Sequence, residues 1–347
     1  MNKKVIVAPL NWGLGHASRC VPIIHFLLEN KFTPIIASDG ISLSFLKKEF
    51  PNLETLELPS YGISYTNNLK FGLLVQTPKI LKAIKKEQRF IADFLIKNKD
   101  IVGVISDNRF GVRSAKIPSV YITHQINVLS GFTTKISSYI HQKTISKFDE
   151  CWVPDNENHQ LSGLLSTIKN KKFNIKYIGV LSRFKKRLET QNNDILVILS
   201  GIESQRKSLE KRILSELKNY KGNIVLVLGK IEKEQIVRIE NGIKIFNYLL
   251  SSELEREINK SELVICRSGY SSIMDLSVLN KKALFIPTPN QPEQEYLAKY
   301  LEKENVASFV SENEFSVDKL ENMKNYKGLS SYETKLDKNL LSLFERK

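Results

Sequence analysis

The chain has 347 residues, 41% hydrophobic and 9% aromatic, and carries a formal net charge of +15 at pH 7. That length exceeds a usual single domain and its apolar content suffices for packed cores, so global disorder is excluded and two domains of roughly 150–200 residues are expected. Cys20, Cys151 and Cys266 form no CxxC pair, which argues against a disulfide framework or a structural zinc site and fits a reducing, cytoplasmic setting. Lysine is spread along the whole chain without an RNP-like, zinc-finger or helix-turn-helix pattern, so nucleic acid is not an expected partner. No run of ~20 apolar residues is present to span a membrane.

Val5-Ile6-Val7-Ala8-Pro9 reads as a buried strand and first core element. It enters the loop Asn11-Trp12-Gly13-Leu14-Gly15-His16-Ala17-Ser18-Arg19, after which Val21, Ile24, Leu27 and Leu28 recur at helical spacing. Gly13 and Gly15 let the backbone turn and approach a ligand. A dinucleotide fingerprint would need a glycine where Ser18 stands, so a nicotinamide cofactor is not expected. His16, at the loop-to-helix junction, is placed either to meet a substrate hydroxyl or simply to order the loop. Residues 33–38 and 53–58 are further strands flanking a helix to about Phe50. Residues 60–78 read as a long surface loop, and 79–99 as a basic amphipathic helix. Its apolar face suits a sheet, and its lysines are either solvated or set against an anionic membrane surface.

The run Ile101–Ile105 is a buried strand ending in Ser106-Asp107-Asn108-Arg109-Phe110-Gly111. Ligands of open α/β sheets gather at carboxyl ends of strands, which singles out Asp107, Asn108 and Arg109, with an ordinary turn as the alternative. Residues 120–123 repeat the pattern with His124 at the tip, and strands at 151–154 and 176–180 close this half.

Residues 181–193 are polar and read as a linker. A fresh α/β series follows. The strand at 195–199 runs into Ser200 and Gly201 with Arg206 beyond, a turn suited to phosphate oxygens. Strands at 224–229 and 243–248 and a helix at 252–259 lead to residues 263–276: a strand, Arg267-Ser268-Gly269, then a helix carrying Ser271 and Asp275. Free N–H groups at such a helix start attract anions, and a carboxylate one turn inside suits the paired hydroxyls of a ribose. After a strand at 283–287, Glu293 and Gln294 open the next helix. The expected division is 1–180, an N-terminal Rossmann-like domain; 181–193, a linker; 194–325, a second Rossmann-like domain; and 326–347, a helical tail.

These patches resemble the GT-B glycosyltransferases of the family-28 group to which MurG belongs. Gly13-Leu14-Gly15-His16 is similar to that group's acceptor-side glycine loop. Arg267-Ser268-Gly269 with Asp275 is similar to its donor-binding turn and helix acid, Ser200-Gly201 to its first C-terminal loop, and Pro287 with Glu293, Gln294 and Ala298 to its sugar-contacting segment. Asp275 replaces the family's Glu, Glu293 its Gln and Leu297 its Asn, so the chain resembles a branch apart from MurG, marked by residues 106–111, 181–183 and 200–206.

The resemblance implies an α/β GT-B fold, two Rossmann-like domains facing a central cleft. It implies metal-independent, inverting transfer of a hexose from a nucleotide-diphosphate sugar, UDP-linked by expectation, to a hydroxyl acceptor, with no cofactor. Donor contacts would come from Ser200, Gly201, Arg206, Arg267, Ser268, Gly269, Ser271, Asp275, Glu293 and Gln294. His16 or Asp107 would take the acceptor's proton, with Gly13, Gly15, Asn108, Arg109 and His124 on the acceptor side. A lipid-linked acceptor and peripheral attachment to the inner face of the membrane are the corresponding expectations. The alternatives are a nucleotide-sugar 2-epimerase of the same build and a non-catalytic nucleotide-sugar-binding protein.

Overall fold

The computed structural model describes residues 3–62, 69–168, 173–330 and 332–345. The chain forms two compact units: residues 1–12, 16–181 and 334–347 make the first, residues 13–15 and 182–333 the second. Among the described residues each unit holds one seven-stranded sheet.

In the first unit the elements run β1 (Lys3–Pro9), α1 (Gly15–Glu29), β2 (Phe32–Ser38), α2 (Gly40–Glu49), β3 (Thr55–Glu57), α3 (Leu69–Lys97), β4 (Ile101–Asp107), β5 (Ser119–Ile122), α4 (Thr134–Ile145), β6 (Glu150–Val153) and β7 (Ile175–Tyr177). The sheet order is β3-β2-β1-β4-β5-β6-β7 and every pairing is parallel. Parallel sheets are covered on both faces, so their strands read as unbroken apolar runs, and Val5 to Ala8 are all fully buried. Ile6 pairs with Ile35 and Val104 at the centre of a core that also takes Leu58 and Ile91.

The reading of residues 60–78 as one loop is corrected: α3 begins at Leu69 and carries Pro78 inside it, while residues 63–68 lie outside the described residues. A proline removes one helical hydrogen bond without ending every helix, and Gly72 and Pro78 concealed ten helical residues, 69–78. The chain's end also departs from expectation. Residues 326–337 are irregular where described, and only Lys338–Leu341, as a 3-10 turn, and α9 (Ser342–Glu345) wind. Phe344 packs edge-on against Phe32 and Trp152 of the first unit.

The second unit runs β8 (Asn193–Ile198), α5 (Glu203–Leu217), β9 (Ile224–Val227), β10 (Val237–Glu240), β11 (Ile243–Phe246), α6 (Ser251–Asn259), β12 (Ser261–Cys266), α7 (Tyr270–Val278), β13 (Lys282–Phe285), α8 (Pro292–Lys303) and β14 (Ser308–Phe309). Its order is β10-β11-β9-β8-β12-β13-β14, parallel except for the β10–β11 hairpin. Val197, Leu226, Ile265 and Leu284 fill its core. Strand β10 was not anticipated, although Asn241-Gly242 is a strong hairpin signal; both residues take positive φ, 49° and 78°. The segment expected as a linker packs on α6, with the Lys185 N–H donating to Glu255 at 2.8 Å and the Arg187 N–H to Asn259 at 3.1 Å.

Candidate active site

In doubly wound sheets the ligand position lies outside the carboxyl ends of the strands where the order reverses. In the first unit the reversal falls between β1 and β4, whose last residues, Pro9 and Asp107, are in register. Helix α1 starts at Gly15, so His16 and Arg19 share a helix face three residues apart. Both reach Asp107, which is fully buried. Arg19 grips the carboxylate with two donors, Nε to Oδ2 at 2.5 Å and Nη2 to Oδ1. His16 Nδ1 lies 2.8 Å from Oδ1, and Cys20 Sγ lies 3.7 Å from Oδ2. Arg19 Nη1 lies 3.0 Å from His124 Nδ1.

Burial by itself would push the Asp107 carboxyl up. The Arg19 guanidinium and then His16 outweigh it and hold the group near 2. Asp107 is therefore a buried anion, which corrects its candidacy as the base: its conjugate acid is too strong and solvent does not reach it. An ionised carboxylate only accepts, so the proton between it and His16 sits on Nδ1, leaving the lone pair on Nε2. The 3.0 Å approach of Arg19 Nη2 to the same Nδ1 is then a contact and not a hydrogen bond. His16 is the more exposed partner, with 17% of its side chain accessible.

Arg109 does not join this group. It is fully buried and pairs with Glu87 at 2.5 Å and Asp39 at 2.6 Å, and it donates to the Pro59 carbonyl at 2.9 Å. Tyr61 donates to the same Glu87 at 2.7 Å. Arg109 thus ties α3 to the β2–α2 and β3–α3 connections, and its expected acceptor-side role is corrected to a structural one. Asn108 takes φ 57° at the turn and accepts from Tyr121 at 2.9 Å. Gly13 uses φ 72° in the loop before α1.

In the second unit the order reverses between β8 and β12. Beyond β8, Gly201 adopts φ +97° with open space where a Cβ would stand, after the partly buried Ser200. Beyond β12, Gly269 caps α7, and its Cβ position is also open. At both glycines a ligand can approach backbone N–H groups closely. Ser271 sits in the first turn of α7, partly buried.

Arg267, expected at phosphate, is instead 1% exposed and pairs with Glu312 at 2.7 Å, donating also to the carbonyls of Ile286, Pro287 and Gln205. Its charge braces the loops from beneath. Arg206 is 8% exposed on α5 and donates to the Gly229 carbonyl at 3.3 Å. Ser268 donates to the Gln294 carbonyl at 2.8 Å, and Gln294 Oε1 accepts from the Thr288 N–H at 2.9 Å, so both fix the start of α8 beside Glu293. Asp275 is partly buried. Burial raises its carboxyl to about 6 against the opposing pull of Arg183 and Ser182, and the Ser182 hydroxyl donates to its Oδ1 at 2.6 Å. Sequence reasoning missed Arg19, Ser182 and Glu312. The His16-x-x-Arg19 spacing was the available signal for the first, whereas Ser182 and Glu312 are brought in by tertiary packing. Among the described residues no group of three or more His, Cys, Asp or Glu is placed to hold a metal ion.

Two Rossmann-like units, each with a glycine-bearing turn and polar groups at its reversal point, are the construction of a GT-B glycosyltransferase. Residues 195–335 match the Glycosyltransferase family 28 C-terminal domain. The chain is 28% identical over 333 residues to the UDP-N-acetylglucosamine–N-acetylmuramyl-(pentapeptide) pyrophosphoryl-undecaprenol N-acetylglucosamine transferase of Sulfurihydrogenibium sp. (strain YO3AOP1), covering 92% of this chain and 88% of that protein. Among solved structures it is similar to Acinetobacter baumannii MurG, with TM-score 0.54, 13% identity and 94% and 93% of the two chains covered. It is also similar to the spinosyn rhamnosyltransferase SpnG, with TM-score 0.63, 13% identity and 94% and 93% covered. The chain has the GT-B fold of a glycosyltransferase and carries a glycosyltransferase family 28 C-terminal domain at residues 195–335. It transfers a sugar from a nucleotide-sugar donor to a hydroxyl acceptor.

Proposed function

We propose that the donor is a UDP-sugar bound by the second unit, that His16 of the first unit is the general base, and that transfer proceeds with inversion and without a metal ion. The observation that supports this best is the His16–Asp107 pair, 2.8 Å apart at the reversal point of the first sheet. In the step, the acceptor oxygen forms a bond to the anomeric carbon and the bond from that carbon to the diphosphate oxygen breaks. The acceptor's proton passes to His16 Nε2. The imidazolium so formed is stabilised by buried Asp107. The leaving diphosphate is held by N–H groups at the starts of α5 and α7, beside Gly201 and Gly269, where preorganised dipoles meet the developing charge. The family resemblance supports giving the ribose to Asp275 and the sugar to Glu293; on Asp275, Oδ1 already accepts from the Ser182 hydroxyl.

The acceptor we propose is a lipid-linked hydroxyl compound met at the cytoplasmic face of a membrane. On α3, Leu81 and Ile96 are 55% and 62% exposed among the exposed Lys82, Lys85, Lys86 and Arg89, and on α4 Ile136 and Ile140 are 65% and 59% exposed near Lys143. Apolar side chains ringed by lysine are the composition of an interfacial surface. No helix among the described residues is long and apolar enough to cross a membrane.

The donor reading is tested by thermal unfolding with UDP, GDP, CMP and dTDP. A nucleotide at 100 times its Kd stabilises by about 2.7 kcal/mol. UDP is expected to raise Tm most, and Asp275→Ala to remove most of that rise. A wild-type Tm that no nucleotide moves would overturn the donor assignment. The membrane reading is tested by flotation with anionic vesicles: salt-sensitive binding is expected, and no binding at low salt refutes it.

A further inference from the structure

The buried network beneath His16 contains two histidines, and either ring is of the right chemical type to be the base. We propose that Arg19 is the positioning residue that decides between them, by fixing the two rings in opposite tautomers. The inference rests on the reading of this site as the one that deprotonates the acceptor.

Arg19 is 2% exposed, and its guanidinium is a planar fork of donors with no acceptor. Nε and Nη2 are spent on Asp107, and Nη1 lies 3.0 Å from His124 Nδ1. A guanidinium cannot accept, so His124 Nδ1 is the unprotonated nitrogen and its ring proton is on Nε2. Asp107 cannot donate, so His16 Nδ1 carries the proton and the lone pair is on Nε2. One ring accepts from the guanidinium and the other donates to the carboxylate of a single ion pair, and they end with opposite patterns.

The consequence is chemical. The only basic nitrogen of His124 is stoppered by an Arg19 N–H, and protonating it would set two N–H groups against each other. His124 is therefore a donor through Nε2 and not a base, and its expected place on the acceptor side narrows to that role. His16 keeps its basic nitrogen on the far side of the ring from Asp107. A lysine at position 19 would keep the charge, but a single ammonium cannot span both carboxylate oxygens and His124 in one plane.

The test uses the full chain labelled with 15N-histidine and long-range 15N–1H correlation at pH 7.5. The chain's five histidines are assigned through single His→Gln variants. The expected wild-type result is Nδ1–H for His16 and Nε2–H for His124. In Arg19→Lys, His16 keeps its tautomer while His124 becomes a mixture. In turnover of UDP-N-acetylglucosamine, His16→Gln is expected to lower kcat about 10³-fold and Arg19→Lys about tenfold, with donor KM held. His124 found as Nδ1–H in the wild type, unchanged His124 tautomers in Arg19→Lys, or a larger kcat loss from His124→Gln than from His16→Gln would each overturn the proposal. Should Arg19→Lys fail to fold, the wild-type tautomers and the ratio of the two His→Gln losses decide the matter. The tautomers are read without donor or acceptor. Failure to find any nucleotide-sugar turnover therefore counts against the proposed function and leaves the tautomer result standing.

Discussion

The two units share a doubly wound sheet, and each places one aspartate at or near its reversal point, yet the two carboxylates are held in opposite ways. Asp107 is desolvated but gripped by the Arg19 fork and His16, and its carboxyl stays near 2. Asp275 is desolvated, the pull of Arg183 and the Ser182 hydroxyl does not offset that burial, and its carboxyl rises to about 6. A buried charge is tolerated when a geometrically matched counter-charge meets it and is costly otherwise. The first unit has completed its charge pair and uses it to orient a histidine. The second unit leaves its carboxylate under-compensated, which is the condition of a group that gains by meeting paired hydroxyls.

The contrast breaks first on the two Asp→Asn variants. Asp107→Asn strands the Arg19 guanidinium in the interior and is expected to cost about 3–5 kcal/mol of stability, seen in urea unfolding at pH 7. Asp275→Asn removes an under-compensated charge and is expected to be neutral or stabilising at the same pH. Losses of equal size would mean that the two sites are alike. The second break is kinetic. His16→Ala is expected to lower kcat about 10³-fold, or about 4 kcal/mol in barrier, while stability changes little because His16 lies at the edge of the network. An unchanged kcat removes the base assignment.

Much of this was legible in the chain. The buried runs at 5–9, 101–105, 195–199 and 263–266 located the central strands, because parallel strands covered on both faces are apolar without interruption. The same logic placed Asp107 at a strand tip and His16, Ser200 and Gly269 in the connections that follow strands. It did not say which way each side chain turns. Arg109 and Arg267 stand beside candidate site residues in sequence, yet both point inward to Glu87 and Glu312, carboxylates distant in the chain. An arginine beside a glycine turn has the same local signature whether it meets phosphate or a buried acid. The α3 start was lost to Pro78, and Ser182 was taken for linker because its partner lies 93 residues on.

The comparison sharpens further in the pH dependence of stability, where the two carboxylates have opposite signs. For Asp107 the folded value lies below the unfolded one near 3.8. Its stabilisation, about 2 kcal/mol, is present above pH 4 and is lost as pH falls toward 2. For Asp275 the folded value lies above the unfolded one. The folded chain then binds the proton more tightly, so stability is greatest below about pH 4, falls by at most about 3 kcal/mol between pH 4 and 6, and stays low above. Urea midpoints of wild type and Asp275→Asn from pH 4 to 8 should therefore diverge across that window. Parallel curves would return Asp275 to an ordinary solvated carboxylate.

The smallest effect isolates the side-chain hydrogen bond that Ser182, far back in the chain, makes to Asp275. Ser182 Oγ donates to Asp275 Oδ1 at 2.6 Å while accepting from the Phe184 N–H at 3.1 Å. Ser182→Ala removes a hydrogen bond to an ionised acceptor and is expected to cost about 1.5 kcal/mol at pH 8. At pH 4 the carboxyl carries its own proton, the bond is no longer charge-assisted, and the cost should shrink to below about 1 kcal/mol. With Oδ1 released, a nucleotide ribose gains that oxygen as a partner, so the variant should regain part of its lost stability when saturated with UDP. A Ser182→Ala cost that is the same at both pH values, and untouched by UDP, would show that the hydroxyl serves the backbone at Phe184 and that Asp275 is not tuned by it.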